Sequence, residues 1–458
     1  MRIAAIMSVL AFLGGCVHLD AKPMNFSCGD VLAKYSETYQ STPYFDELQR
    51  DAGYDECPKR SDGRPDCGSM VLHAQSVGDD PILDALDSWR TRKAASFAPQ
   101  AASAAEVPVL MLSGGGAWGA FGAAYLNTFG KRDWAVVTGV STGALQGLFV
   151  AAGDYAALEA AYRIKTDDAL SKPGGLLGLA FRGAENDIAP LRAKVMDYLL
   201  PPHGAESPLL RMARPGSPAL SIAIVEARSG DLKAVHISKM VRAELGQDPH
   251  RAPAKLQRVA KCVAGVALAS SSIPVRLTPV RIDGHTYIDG GVRSSVFDTV
   301  IGERMRTFSD KSAARVQPHL YVIRNGPTIV FRDVEDKRHP GVAEVDARPD
   351  IMRVGLRGYS TIVNQNELMS IASLRLNYPR GPISVMSADG FNTPVRVILK
   401  DGSTLTNLKP CGPRPKELFN KEFMNCLANW GNYKATNGPR FIELKELEMK
   451  RLPASDIR

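Results

Sequence analysis

Long apolar runs are missing from this sequence of 458 residues. No stretch reaches the roughly 18 consecutive apolar residues expected of a membrane-spanning helix. Long basic runs are missing too, and aromatic residues do not alternate with basic ones, which argues against a dedicated nucleic-acid-binding protein. The formal net charge of +8 permits a mild preference for anionic membrane surfaces. With 45% hydrophobic and 23% charged residues, the chain has a globular composition.

Cysteine is scarce, with seven in the chain, and the cysteine spacings indicate no zinc site. Cys57 and Cys67 flank a polar, turn-rich loop, and Cys411 and Cys426 flank a predicted short helix. Each of these segments lacks an obvious core, so we expect a disulfide to stabilise it. Cys28 could partner either Cys57 or Cys67.

Cys262 stands apart from these pairs. It lies in the apolar, helical stretch 259–272, where we expect a buried free thiol.

The N-terminus has the order of an export signal. Residues 1–2 are a short basic start, and residues 3–13 are an apolar run too short to span a bilayer. The run ends in Leu13-Gly14-Gly15-Cys16, which resembles the lipobox of bacterial lipoproteins. That resemblance implies that residues 1–15 are removed and that Cys16 is acylated. The mature protein would then be anchored to a membrane of the bacterial cell envelope, at the outer membrane or facing the periplasm. A plain secretory signal with a chance cysteine is the alternative, and it also predicts export.

Strand-like and helix-like patterns alternate from residue 107 onward. Such alternation predicts an α/β fold with a largely parallel sheet covered by helices on both faces. Residues 219–226 and 232–237 predict a hairpin or two neighbouring strands, and residues 349–376 predict a long helix. There is no internal repeat.

These patterns divide the chain into four parts. Residues 1–15 are the predicted signal peptide, and residues 16–106 are a cysteine-containing tether or cap. Residues 107–378 form the predicted α/β domain. Residues 379–458 are a C-terminal extension with the second cysteine pair.

The stretch Leu110–Gly147 is interpreted as one βαβ unit with two glycine-dense turns. Each turn follows a strand and opens a helix: 114–119 reads GGGAWG and 139–143 reads GVSTG. The first N–H groups of a helix have no intrahelical partner and the helix dipole is positive there. Both turns are therefore suited to bind an anion or a developing oxyanion.

The second turn fits G-x-S-x-G, the strand-to-helix elbow that exposes a nucleophilic serine. Ser141 is the candidate nucleophile, although an incidental serine in a glycine-rich turn gives the same pattern. The N–H groups around Gly115, Gly116 and Ala117 could face an oxyanion at Ser141. The first turn also satisfies G-x-G-x-x-G, but no acidic residue follows at the distance that a dinucleotide site requires.

A nucleophilic serine needs a base. Among the eight histidines only His285, on a turn before a strand, has a suggestive context. Asp289-Gly290-Gly291 is a stronger candidate, because it ends a strand and its glycines permit close backbone approach. A carboxylate there could take the serine proton and return it to the leaving group. On its own, D-G-G is also an ordinary turn.

GGGxxG, GxSxG and DGG, in this order, resemble the patatin-like phospholipase family. The resemblance runs from about Val107 to Val296 and includes ASSSIP at residues 269–274. It implies a three-layer α/β fold with a mainly parallel central sheet. It also implies a dyad without histidine, with Ser141 as nucleophile and Asp289 as base.

The same resemblance implies an oxyanion hole formed by Gly114, Gly115 and Gly116. The implied activity is hydrolysis of lipid acyl esters, of the phospholipase A, lipase or esterase type, through an acyl-enzyme. No metal and no organic cofactor is expected. Two alternatives remain open: an α/β-hydrolase esterase that uses His285, and a non-catalytic envelope lipoprotein that keeps the fold.

Two features are left undecided by the sequence. The family usually carries Arg or Lys where this chain has Trp118, so a positive charge near the expected oxyanion is lost. Trp118 could line the acyl site or pack against the sheet. Residues 173–183 form either an apolar flap over an acyl pocket or a buried connection.

Overall fold

The computed structural model describes residues 23–39, 80–93, 105–174, 184–202, 205–246, 253–312, 316–328, 335–336, 338–398, 404–413, 415, 417–438 and 440–444. The predicted signal peptide, Cys16 and the loop between Cys57 and Cys67 lie outside these residues, as does most of 173–183.

A large sheet forms the centre of the molecule. The strands, in chain order, are β1 Met24–Phe26, β2 Ser36–Tyr39, β3 Ala105–Leu112, β4 Val136–Val140, β5 Lys172–Pro173, β6 Asn186–Asp187, β7 Ala219–Glu226, β8 Leu232–His236, β9 Val280–Ile282, β10 His285–Asp289, β11 Val316–Arg324, β12 Glu335–Asp336, β13 His339–Ala343, β14 Ile383–Ser387, β15 Val395–Ile398, β16 Thr404–Leu408 and β17 Ile442–Glu443. Eleven of these strands share one sheet in the order β1-β9-β10-β7-β4-β3-β11-β14-β17, with β8 beside β7 and β2 beside β8.

The five central strands β7, β4, β3, β11 and β14 are parallel to one another. Antiparallel pairs occur outside this centre, for example between β14 and β17. Strands covered on both faces are continuously apolar, and the residues of β4 are all buried. The predicted α/β fold with a mainly parallel central sheet is thus confirmed.

Helices cover both faces of the sheet. In chain order they are α1 Val31–Lys34, α2 Pro81–Lys93, α3 Gly119–Phe129, α4 Thr142–Ala151, α5 Tyr155–Tyr162, α6 Ala189–Leu199, α7 Pro208–Ala213, α8 Ile237–Leu245, α9 Pro253–Ser270, α10 Thr299–Lys311, α11 Glu344–Ala347, α12 Ile351–Asn377 and α13 Lys421–Asn437. None of the helices in these described ranges combines the length and the apolar character needed to cross a bilayer.

Alternate residues of one strand enter two separate cores. Leu110 and Leu112 of β3 pack with α3, α4 and α9, whereas Val109 and Met111 pack with α2, α10 and the C-terminal half of α12. This alternation follows from the two-residue period of a strand. The predicted hairpin is present as β7 and β8, and the predicted long helix is α12.

The described part of residues 16–106 contributes to the same sheet. β1 pairs in parallel with β9, and β2 pairs antiparallel with β8. A buried ion pair strengthens this attachment, because Arg304 of α10 donates from Nη2 to Oε2 of Glu37 at 2.9 Å. Arg304 also contacts Asp80, just before α2.

The predicted partners of Cys28 and the predicted free thiol of Cys262 are both wrong. The two residues form a disulfide with a Cα–Cα distance of 4.8 Å. Because β1 lies beside β9 and α9 packs across both, residues far apart in sequence meet there. The disulfide between Cys411 and Cys426 is confirmed, with a Cα–Cα distance of 5.5 Å. Cys426 lies within α13 rather than beyond a short helix.

The Cys28–Cys262 bond should contribute strongly to stability, because it closes a loop with a sequence separation of 234 residues. Replacing both cysteines by serine should lower the free energy of unfolding by about 2–5 kcal/mol, as measured by urea denaturation. The Cys411→Ser, Cys426→Ser variant is the control, since its loop spans a separation of only 15 residues. Equal losses in the two variants would contradict the loop-length argument.

Candidate active site

Ser141 lies where β4 ends and α4 begins. Its backbone has φ 55° and ψ −126°, a conformation that is costly for a residue with a side chain. The residue is 4% exposed. This geometry is that of a strand-to-helix elbow, which aims the serine hydroxyl away from both elements.

Serines of the ASSSIP segment hold the backbone of Ser141 in place. The Ser141 N–H donates to Oγ of Ser270 at 2.9 Å, and the Ser271 hydroxyl donates to the Ser141 carbonyl at 3.0 Å. The next residue, Ser272, accepts a hydrogen bond from the backbone N–H of Asp289 at 3.0 Å. One segment therefore fixes both candidate catalytic residues. From the sequence alone, this segment was recognisable only as part of the family resemblance, and these contacts were not predicted.

The register of β7 brings Asp289 beside the elbow. β4 and β10 both pair with the edge of β7 that is opposite β8. Val140, the last residue of β4, pairs with Ala223, and Asp289, the last residue of β10, pairs with Ile224. Two strands that run toward each other thus end at consecutive positions of one edge.

Gly290 permits this close approach. A β-carbon at this position would lie 2.7 Å from the carbonyl oxygen of Ala223, so a larger residue would push the two strands apart. The next residue, Gly291, donates its N–H to Oδ1 of Asp289 at 2.7 Å and so orients the carboxylate.

The carboxyl group of Asp289 is buried, with 2% of the residue exposed. Burial raises its pKa to about 7, although hydrogen bonds from the Ser141 hydroxyl and the Gly291 N–H act in the opposite direction. A carboxylate with this pKa, in contact with a serine hydroxyl, can accept and return a proton near neutral pH.

The first glycine-rich turn lies next to Ser141. A β-carbon on Gly114 would be 3.3 Å from Cβ of Ser141. The N–H of Gly114 donates to the Ser295 carbonyl at 3.3 Å, whereas Gly115 and Gly116 make no backbone N–H donation to any other described residue. Gly115 adopts φ 148°, and a β-carbon there would collide with the Asn325 carbonyl at 1.9 Å, so only glycine fits.

Asn325 connects the two turns, and no sequence motif indicated this residue. Its N–H donates to Oγ of Ser113 at 2.9 Å, and its Nδ2 donates to the Ser113 carbonyl at 2.8 Å and to Oε1 of Gln146 at 2.9 Å. Gln146 lies on α4 and donates to the carbonyl of Gly119 at 2.8 Å. The amide of Asn325 therefore joins the glycine turn to the helix that follows the elbow.

A cavity of about 340 Å³ opens beside Ser141. Its walls are mainly apolar side chains of α4, α5 and α6 together with a few residues from other parts of the chain. The lining residues are Gly116, Ser141, Thr142, Leu145, Leu148, Phe149, Ala157, Ala160, Ala161, Tyr162, Leu170, Leu191, Lys194, Val195, Asp197, Tyr198, Ser271, Ile273, Leu277 and Phe419. Such a space suits a hydrocarbon chain whose reacting group lies at Ser141.

Trp118 does not line the cavity; it lies in the buried core cluster that also contains Leu110 and Leu112 of β3. The indole is 5% exposed and makes edge-to-face contacts with Phe391 at 5.0 Å and Phe423 at 5.1 Å between ring centroids. It therefore packs against the C-terminal extension.

The histidines near this region are engaged elsewhere. His285 lies at the opposite end of β10 from Asp289, about 13 Å away at 3.3 Å per residue. Its Nδ1 is 3.3 Å from Oε1 of Glu226. His236 is buried between Ser221, at 2.9 Å, and Glu37, at 3.3 Å. Within the described ranges, no three His, Cys, Asp or Glu side chains are grouped so that they could hold a metal ion.

Comparisons with known proteins agree with the motifs. Residues 110–297 match the family model described as Patatin-like phospholipase, which confirms the predicted resemblance for this part of the chain. The structure of VipD from Legionella pneumophila aligns with 12% sequence identity and a TM-score of 0.30, over 71% of this chain and 66% of VipD, just under two thirds of its length. No curated protein matches the chain. The family name denotes phospholipases, so lipid acyl hydrolysis is the general activity that the match supports.

Asn325 should be a positioning residue for the site. Asn325→Asp keeps the shape of the side chain but removes the Nδ2 donor to Ser113 and Gln146. We expect kcat for a chromogenic ester to fall by about 10²-fold with little change in KM, because a displaced glycine turn affects the transition state more than substrate binding. Asn127→Ala, which removes a hydrogen bond to Glu159 on α5, is the control and should leave kcat unchanged. A rise in KM at constant kcat would contradict the assignment.

Proposed function

We propose that this protein is a serine acyl hydrolase that cleaves lipid acyl esters with a Ser141–Asp289 dyad. One observation carries the proposal: the strained elbow serine contacts a buried carboxyl group of raised pKa beside an apolar cavity. The family match at residues 110–297 supports the same reaction class.

In the first half of the proposed reaction, Oγ of Ser141 attacks the carbonyl carbon of the ester. The ionised carboxylate of Asp289 accepts the proton that the hydroxyl loses. The negative charge that develops on the carbonyl oxygen would be stabilised by N–H groups of the glycine turn. Gly115 and Gly116 are better suited than Gly114, whose N–H already has the Ser295 carbonyl as partner.

Collapse of the tetrahedral intermediate breaks the bond to the alcohol. The alcohol leaves with the proton from Asp289, and the acyl group stays on Ser141. In the second half, a water molecule gives its proton to Asp289 and attacks the acyl-enzyme. The fatty acid is then released, and the proton returns to Ser141.

An apolar acyl chain is the substrate part that the cavity favours. Leu145, Leu148 and Phe149 of α4 extend from the nucleophile along one wall, and Leu191 and Val195 of α6 contribute to another. Such walls contribute binding energy through burial of hydrocarbon, at about 25 cal/mol per Å².

We also propose that the protein is exported and anchored to a membrane through Cys16. The lipobox-like sequence motivates this part of the proposal. The disulfides Cys28–Cys262 and Cys411–Cys426 support it, because such bonds persist in oxidising compartments. Incorporation of labelled palmitate that is lost in Cys16→Ala is the expected result. An unlabelled wild-type protein would contradict anchoring.

The dyad is tested by two substitutions and one control. Ser141→Ala and Asp289→Asn should each reduce turnover of a short-chain chromogenic ester by at least about 10³-fold, because each removes a group that acts in bond formation. His285→Ala should retain full activity, since its side chain faces Glu226.

A fluorophosphonate reagent provides the measurement that separates the alternatives. It should label the wild type at Ser141 and leave Ser141→Ala unlabelled. An unlabelled wild type would favour the non-catalytic lipoprotein, and loss of activity in His285→Ala alone would favour the histidine-dependent esterase.

The pH dependence should follow the titration of Asp289. Its pKa is about 7 in the folded protein, and the ionised form is the base. The value of kcat/KM should therefore rise about tenfold per pH unit below pH 7 and level off above it. A pH profile from about pH 5 to about pH 9 checks this, and constant kcat/KM through the acidic half would contradict the role of Asp289.

A further inference from the structure

The C-terminal extension supplies one wall of the cavity. The family model ends at residue 297, yet Phe419 lines the cavity together with Ser141 and Thr142. Along α4 the lining extends from Ser141 to Phe149, a distance of about 12 Å at 1.5 Å per residue. An aromatic ring added to a space of this length changes the volume that an acyl chain can fill.

Several contacts hold Phe419 in place. The residue is 8% exposed and lies inside the loop closed by the Cys411–Cys426 disulfide. The following residue, Asn420, caps α13 by accepting from the N–H of Phe423 at 3.0 Å. The N–H of Lys421 donates to Oδ1 of Asp167, in the segment after α5, at 2.7 Å. The backbone directly after Phe419 is thus anchored to α13 and to the segment after α5.

The anchoring reaches the catalytic turn itself. Phe423, in the first turn of α13 and four residues beyond Phe419, packs against Trp118 of the glycine-rich turn. On the other side of the loop, the N–H of Cys411 donates to the carbonyl of Phe391, whose ring also contacts Trp118. The disulfide loop, α13 and the glycine turn therefore form one packed unit.

We propose that Phe419 is a specificity-determining residue that limits the length of the acyl chain that can react at Ser141, and that the Cys411–Cys426 disulfide holds it in position. This inference rests on the proposed acyl hydrolase function. It adds a residue from outside the family-matched range to the substrate-binding wall.

The test is a series of p-nitrophenyl esters from butyrate through octanoate and laurate to palmitate. Phe419→Ala removes the ring and enlarges the space, so the ratio of kcat/KM for palmitate to that for butyrate should rise by about tenfold or more. Phe419→Trp should lower the same ratio, which keeps the test valid if the alanine variant fails to fold. A ratio equal to that of the wild type in both variants would overturn the proposal.

Phe441→Ala is the matched control. Phe441 is also an aromatic residue of the C-terminal extension, but it packs against Tyr125, Phe129 and Tyr321 and is not part of the cavity lining. Its removal should leave the palmitate-to-butyrate ratio unchanged. A shift as large as that of Phe419→Ala would show that general loosening of the extension, and not the ring, sets the preference.

The disulfide is tested by the Cys411→Ser, Cys426→Ser variant. We expect its ratio to move in the same direction as that of Phe419→Ala, because the loop that carries the ring is released from α13. An unchanged ratio in this variant would overturn the role of the disulfide.

Failure of the proposed hydrolase function can be distinguished from failure of the proposal for Phe419. If the wild type hydrolyses no ester and resists the fluorophosphonate, the hydrolase assignment is wrong. Calorimetric titration with octanoate, laurate and palmitate then tests whether Phe419 limits the bound chain. The titration compares Ser141→Ala with the same variant carrying Phe419→Ala. A changed chain-length preference supports the proposed role of Phe419, and identical preferences overturn that role.

Discussion

The burial of the Asp289 carboxyl group is the constraint on which the site depends. An aspartate in the unfolded chain titrates near its ordinary value of 3.8, whereas the folded protein holds this proton up to about pH 7. Between these values the folded state binds more protons, so stability falls as the pH rises through that window. The ionised form above pH 7 therefore costs folding free energy on the order of 4 kcal/mol. The rest of the fold must offset this cost while keeping the carboxyl group buried and in contact with Ser141.

The sheet meets this requirement through its register. Because β4 and β10 end at neighbouring positions of the β7 edge, backbone pairing fixes the positions of the proposed nucleophile and the proposed base. Serines 270 to 272 add hydrogen bonds to the backbone of both residues. The strained backbone conformation of Ser141 persists only because the surrounding hydrogen bonds and packing hold it in place. The geometry of the candidate site thus follows from the strand pairing in the sheet.

Local motifs made the centre of the fold and the candidate dyad predictable from the sequence. The elbow, the glycine turn and the D-G-G turn are each encoded within a few residues, and the alternation of strands and helices indicated the parallel sheet. The partner of Cys28 was not predictable, because it depends on the pairing of β1 with β9 and on helix α9. Asn325 and Phe419 were missed for the same reason. Each reaches the site through tertiary packing, and neither belongs to a motif of recognisable spacing.

Trp118 and the C-terminal extension are best understood together. The family usually has a basic residue at this position, where this chain has an indole packed between Phe391 and Phe423. A Lys or Arg enclosed by these rings would lose its hydration, which costs several kcal/mol unless an anion pairs with it. Once the extension covers the glycine turn, an aromatic residue is therefore the stable choice there. The extension thus supplies apolar packing at a position where the family resemblance leads one to expect a charge, and the glycine turn is held by contacts from outside residues 110–297.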